Sequence, residues 1–183
     1  MNRLNMMTKK FPIYLLTVLL YLHLNNTLFT QTFPNPALVG YWEAWDFNDD
    51  PILLDEIDDN YNVIAIAFAQ YRDGKDYDIM FTPPTTYTAQ EFKDEISILQ
   101  AQGKKVLISL GGQTTPHVLD SIYEKDIFVT SVNAMIDEWG FDGIDIDLEG
   151  GSVHYDDVNI ENPGALTQTL FIEGLREVID NHL

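Results

Sequence analysis

Residues 141–150 read FDGIDIDLEG, and four acids, Asp142, Asp145, Asp147 and Glu149, alternate there with apolar residues. Side chains along a strand point to opposite faces with a period of two, so Asp145, Asp147 and Glu149 share one face at steps of about 6.6 Å. Ile144, Ile146 and Leu148 share the other face, which suits packing under helices. Asp142 has the opposite parity to the other acids and reads as a structural residue at the start of the strand. Carboxylates on an inward face are costly unless they are hydrogen-bonded or share protons. The last of them, Glu149, precedes Gly150-Gly151. In parallel α/β sheets the C-terminal strand end is where sites are built. A carboxyl group in that place suits a general acid.

Working outward, strand-like runs alternate with helical patterns. ALVGYWEAW (37–45) is the first strand, and Asp50-Pro51 then predicts a short helix through Ile57. YNVIAIAFA (61–69) is the second strand. Thr88 and Glu91 form a capping box ahead of Phe92, Ile96 and Leu99, with Gly103 as the stop. KKVLISLGG (104–112) is the third strand, followed by Phe128, Val132, Met135, Ile136 and Trp139 at helical spacing up to Gly140. After the acidic strand, Asn162-Pro163 predicts a helix with Leu166, Leu170, Phe171, Val178 and Ile179 on its apolar face. Four strand–helix units with nearly continuous apolar strands predict a parallel sheet covered by helices. Doubly wound sheets and (β/α)8 barrels both begin this way. No dinucleotide fingerprint or phosphate-binding loop follows the first strand.

The chain has 183 residues, 45% of them hydrophobic, which is enough for the core of one ordinary domain. Its formal net charge is −19. Residues 1–32 carry Arg3, Lys9 and Lys10 but no acid, so the remainder holds 7 Lys+Arg against 29 Asp+Glu, a net of −22. Such a surface repels nucleic acid and anionic membranes but not a neutral substrate. FPIYLLTVLLYLHL (11–24), behind the basic positions, reads as the apolar core of an export signal. It is shorter than the roughly 20 residues that span a bilayer. Thr30 and Thr32 mark a weak cleavage site, and an uncleaved anchor is the other reading. The expected location is therefore extracellular or periplasmic, without a stable membrane partner. Cysteine is absent, so no disulfide framework is expected.

Asp145-x-Asp147-x-Glu149-Gly150 also imitates the start of an EF-hand calcium loop. That loop would need Glu at its twelfth position, where Asp156 stands, and a helix in front of it rather than a strand. His117 and His154 have no ligand partners at metal spacing. Neither a metal nor a cofactor is expected. Trp42 and Trp139 read as core residues.

Asp142-x-x-Asp145-x-Asp147-x-Glu149 resembles the DxxDxDxE signature of glycoside hydrolase family 18, the chitinases and related endo-β-N-acetylglucosaminidases. Ser109-Leu110-Gly111-Gly112 matches that family's SxGG motif. Val39-Gly40-Tyr41-Trp42 and Asn62 to Phe68 are similar to its first and second strands. The four motifs fall in order, one per strand, and the wording is closest to secreted bacterial-type chitinases. The resemblance covers about residues 37–183 and implies the N-terminal half, four βα units, of a (β/α)8 barrel. Residues 33–183 are then expected to be an incomplete catalytic domain, poorly active alone and monomeric when complete. Family features of the second half, a Met-x-Tyr-Asp segment and a last-strand Trp, have no counterpart, and Gln113 stands where Trp often follows SxGG.

The implied reaction is hydrolysis of chitin or N-acetylglucosamine oligosaccharides with retention and substrate assistance. Glu149 would be the general acid, and Asp147 would hold the substrate's acetamido group. Asp145 would share a proton or hydrogen bond with Asp147, supported by Tyr41 and Ser109. Phe68 and Trp45 are candidates for the sugar site, Trp45 equally for a packed strand end, with Gly111 and Gly112 beside them. The family often has a cis peptide where Ala67-Phe68 sits. A chitin-binding protein without catalysis and an enzyme acting on N-glycans are the alternatives; the retained acid at Glu149 favours an enzyme.

Overall fold

The computed structural model describes residues 33–46, 51–113, 117–149 and 166–182. The described strands are β1 (Val39–Glu43), β2 (Val63–Ala67), β3 (Gln70–Arg72), β4 (Lys75–Met80), β5 (Lys105–Gly112) and β6 (Gly143–Leu148). The helices are α1 (Ala89–Ala101), α2 (Ile122–Trp139) and α3 (Leu166–His182). Four strands form one sheet in the order β1-β2-β5-β6, and every neighbouring pair is parallel. β2 is buried along its whole length, as expected of a strand covered on both faces.

Trp42, Ile64, Ile66, Val106, Ile108 and Leu110 form the helix-facing side of the sheet and are all buried. Against them pack Phe92, Ile96 and Leu99 of α1 and Phe128, Val132, Met135 and Trp139 of α2. The caps follow from the residues. Thr88 Oγ1 accepts from the Glu91 amide (3.3 Å) while the Thr88 amide donates to Glu91 Oε2 (2.8 Å). Gly140 ends α2 in the left-handed region at φ 76°. At the other end of the sheet, Asp142 staples β6 to β5. Its carboxylate accepts from the Val106 amide (2.9 Å), Lys105 Nζ (2.8 Å) and Gln100 Nε2 (3.0 Å).

Several expectations are corrected. Between β2 and α1 the chain inserts an antiparallel hairpin, β3–β4, that the strand–helix rhythm did not contain. Asp73-Gly74 makes its turn with both φ values positive (53° and 71°), the conformation that Asp-Gly favours in two-residue hairpins. The helix expected from Asp50-Pro51 to Ile57 is a single 3-10 turn, Leu54–Glu56. Glu56 Oε2 accepts from the Leu53 amide (2.9 Å), and Ile57 is already extended. Asp50, and the Asn162-Pro163 start of the last helix, lie outside the described residues. On α3 the buried stripe is Leu170, Phe171, Gly174 and Val178, whereas Leu166 is 62% exposed. A side chain at Gly174 would press on the Phe128 ring, so this stripe lies against α2. On β6, Ile146 is 39% exposed while Ile144 and Leu148 pack against the core.

His117, which the sequence left without a role, is 4% exposed. Its ring stacks on Phe171 (5.9 Å, 7°) and meets the edges of Tyr71 (5.6 Å) and Phe128 (6.2 Å). Among the described residues, neither ring nitrogen has a hydrogen-bond partner. Burial pushes the imidazole down to about 4, opposed only in part by the Asp76 main chain nearby, outside hydrogen-bond geometry. A pKa depressed in the folded state means that the unfolded chain takes up the proton first. Stability from this residue is complete above pH 6.5 and is lost as pH falls from 6.5 to 4, a change of about 3 kcal/mol at most. Urea midpoints measured at pH 7 and pH 4.5 should therefore differ less in His117→Phe than in the unaltered protein. Equal differences in the two proteins would remove His117 as the cause.

Candidate active site

Ser109 on β5 and Asp145 on β6 are register partners. Ser109 is fully buried, and its Oγ donates to Asp145 Oδ2 at 2.7 Å. The same carboxylate oxygen accepts from the Tyr41 hydroxyl at 2.9 Å. Tyr41 comes from β1, three strand positions away in the sheet. In a flat sheet that separation would be about 14 Å, with both side chains standing roughly parallel. The bond closes because the sheet curves toward its Tyr41 and Asp145 side. Strand parity puts Ala65 and Ala67 of β2 on that concave face, and two methyl groups leave room for the Tyr41 ring to lean across.

Desolvation around the Tyr41 hydroxyl, then its bond to Asp145 and the charges of Asp145 and Asp147, push the phenol up to about 12. Tyr41 is therefore a hydrogen-bond donor throughout the neutral range. Asp147 is half-buried one step further along the same face of β6, and Glu149 is exposed just past the strand end.

The paired glycines of β5 set how closely the strands approach. Gly111 has φ 126°, and a Cβ there would collide with the Asp147 carbonyl oxygen. Any side chain at this position would push β6 away just where Asp147 sits. Gly112 has φ 81°, and a Cβ there would lie 3.1 Å from the Phe68 ring. Phe68 follows Ala67 through a cis peptide bond, and its ring stacks on Trp45 (6.3 Å, 16°). Gly112, Phe68 and Trp45 thus form one aromatic wall, built from the C-terminal ends of β5, β2 and β1.

The sequence-predicted residues therefore form two groups, Tyr41, Ser109 and Asp145 in one and Gly112, Phe68 and Trp45 in the other. Gly111 lies against the backbone of Asp147. Asp142 is apart from both, at the opposite end of β6. Asp46, which follows Trp45, was not singled out by the sequence. Its Oδ1 accepts from both the amide (2.8 Å) and the hydroxyl (3.0 Å) of Thr85. A bond across 39 positions leaves no local pattern to read. His154 lies outside the described residues. Among the described residues, no group of His, Cys, Asp or Glu side chains is arranged to hold a metal ion, and no helix is long and apolar enough to cross a membrane.

The family model of glycosyl hydrolases family 18 matches residues 37–183. Exochitinase 1 of Streptomyces olivaceoviridis is 38% identical over 152 residues, covering 78% of this chain and 26% of the relative. Chitinase D of Niallia circulans is 35% identical over 150 residues, with 78% and 28% covered. The chain thus spans about a quarter of the length of these curated relatives. Among solved structures, a family 18 chitinase from Chromobacterium violaceum superposes with a TM-score of 0.66 at 32% identity. That match covers 79% of this chain and 37% of the other. The parallel sheet with its helices accordingly has a TIM-barrel-type α/β fold. With the signature acids on β6 and the double glycine on β5, the chain belongs to glycosyl hydrolase family 18.

Proposed function

We propose that this site hydrolyses β-1,4 linkages between N-acetylglucosamine units of chitin or chitooligosaccharides, with net retention at the anomeric carbon. The observation that carries this reading is the Asp145 carboxylate, held by hydroxyls from two other strands, with Asp147 two positions further along β6. The chitinase names of the relatives support the substrate class. In this reading the four βα units are the N-terminal half of a (β/α)8 barrel. Residues 33–183 belong to the catalytic domain, residues 1–32 are an export signal, and the protein acts outside the cell as a monomer.

The usual two-carboxylate scheme needs acids on both sides of the scissile bond, which neighbours on one strand cannot supply. Substrate assistance removes that need. Glu149 donates its proton to the glycosidic oxygen. The substrate's own N-acetyl oxygen attacks the anomeric carbon as the C–O bond breaks, giving an oxazolinium ion. Asp147 accepts a hydrogen bond from the acetamido N–H and balances the positive charge. Asp145 lies behind it, sharing a proton or hydrogen bond with Asp147 while Tyr41 and Ser109 donate to its other side. Water then opens the intermediate, the Glu149 carboxylate takes its proton, and the β configuration returns. Phe68 and Trp45 present apolar surface to the sugar.

In the native protein, Glu149→Gln should lower kcat on chitotetraose by about 100- to 10,000-fold with KM little changed, since general acid catalysis is worth that much. Activity within tenfold of the unaltered protein would exclude Glu149 as the acid. Proton NMR of the first-formed products should show the β-anomer, and initial α-anomer would overturn retention. Tyr41→Phe removes one of two donors to Asp145 and should cost roughly tenfold in kcat. Because the phenol titrates at about 12, the alkaline limb of the unaltered protein's rate profile should persist in this variant. Loss of that limb would mean that Tyr41 itself titrates during turnover.

A further inference from the structure

Resting on the chitooligosaccharide reading, we infer that Asp46 and Thr85 are positioning residues that hold the Trp45 indole as a preformed wall for a pyranose ring. Trp45 lies past the end of β1, where the sheet no longer fixes its backbone. Two attachments replace the sheet. On one side, the Ala44 amide donates to the Ala67 carbonyl at 2.8 Å and ties the chain to the end of β2. On the other, the Asp46 carboxylate receives both Thr85 donors. Trp45 is the single residue between these two anchors.

Thr85 is itself well placed to be a fixed point. Pro83 and Pro84 precede it, and proline holds φ near −65°. The Tyr87 amide closes a turn onto the Pro84 carbonyl at 3.1 Å, and Thr88 then caps α1. Tyr87 packs between Trp42 and Phe92 in the core, and its hydroxyl accepts from the Leu54 amide at 2.8 Å. The Asp46 carboxylate is therefore tied to a turn that leads into the capped start of α1.

The indole has a matching fixed support. It stacks on Phe68, whose own ring rests against the bare backbone of Gly112. Trp45 nevertheless remains half-buried, so surface is left for a ligand. Pyranose rings present a C–H face that packs on aromatic rings. An indole held in place beforehand loses less freedom when the sugar arrives. Asp46 and Thr85 would thus act on binding and leave the bond-breaking step to the acids of β6.

The test uses the native protein and chitotetraose, with indole fluorescence as the readout and Trp45→Phe to assign the Trp45 contribution. Chitotetraose should quench that contribution in the unaltered protein. Asp46→Ala should lower its anisotropy, weaken chitotetraose binding on the order of tenfold and raise KM to match, with kcat within about twofold. Asp46→Asn keeps an oxygen acceptor for both Thr85 donors and should restore binding. Thr85→Ala, which keeps the amide donor, should give a smaller loss and provides the comparison if Asp46→Ala lowers the melting temperature. Quenching and affinity unchanged in both Asp46→Ala and Thr85→Ala would overturn the inference alone. So would failure of Asp46→Asn to restore binding. No Trp45 quenching while the unaltered protein still hydrolyses chitotetraose would likewise remove the wall but keep the activity. Neither quenching nor hydrolysis in the unaltered protein would overturn the substrate class and the inference together.

Discussion

A half-buried carboxylate on the concave face of a parallel sheet has to find hydrogen-bond donors, and Asp145 finds them on two other strands. Ser109 is its register partner on β5, and Tyr41 reaches it from β1 at the far side of the sheet. Much of the fold can be read as what that pair of bonds requires. The sheet must curve, β2 must carry small residues on the concave side, and Ser109 must be buried deeply enough that its hydroxyl has reason to donate there. A polar group without a partner in such a place would cost roughly 1–3 kcal/mol.

Close approach is the second constraint, and glycine meets it. At Gly111 the backbone of β5 passes so near the Asp147 carbonyl that no Cβ fits, and at Gly112 the space beside the backbone belongs to the Phe68 ring. The two glycines therefore serve different neighbours, one the acidic strand and the other the aromatic wall. The charged end of the sheet is handled otherwise. Asp142 meets Lys105, Gln100 and the Val106 amide together and is spent on joining two strands. Asp142 thus serves the sheet itself, whereas Asp145, of opposite parity, meets the hydroxyls of Tyr41 and Ser109.

Periodic features were legible in advance. The capping box at Thr88 and Glu91, the left-handed stop at Gly140 and the apolar stripes of α1 and α2 depend on neighbours three or four positions away, so local spacing reveals them. The β3–β4 hairpin was missed: Asp73-Gly74 is a local signal for its turn, but its short strands carry many charges and lack a clear apolar alternation. The last helix was read one step too broadly. Leu166 and Ile179 look apolar enough for its buried face, yet only the position of α2 decides which stripe is covered.

What the sequence determined by itself is therefore the alternation of acids and apolar residues along 143–149 and the common parity of Asp145, Asp147 and Glu149. These follow from the two-residue period of a strand and need no knowledge of distant residues. Tertiary structure decided which hydroxyls meet Asp145, that His117 is enclosed by aromatic rings from three other segments, and that Asp46 closes onto Thr85. Tyr41 and Asp145, Tyr71 and His117, His117 and Phe171, and Asp46 and Thr85 are each dozens of positions apart. Their meeting depends on sheet curvature and helix placement, properties of the whole packed chain that no local stretch of sequence carries.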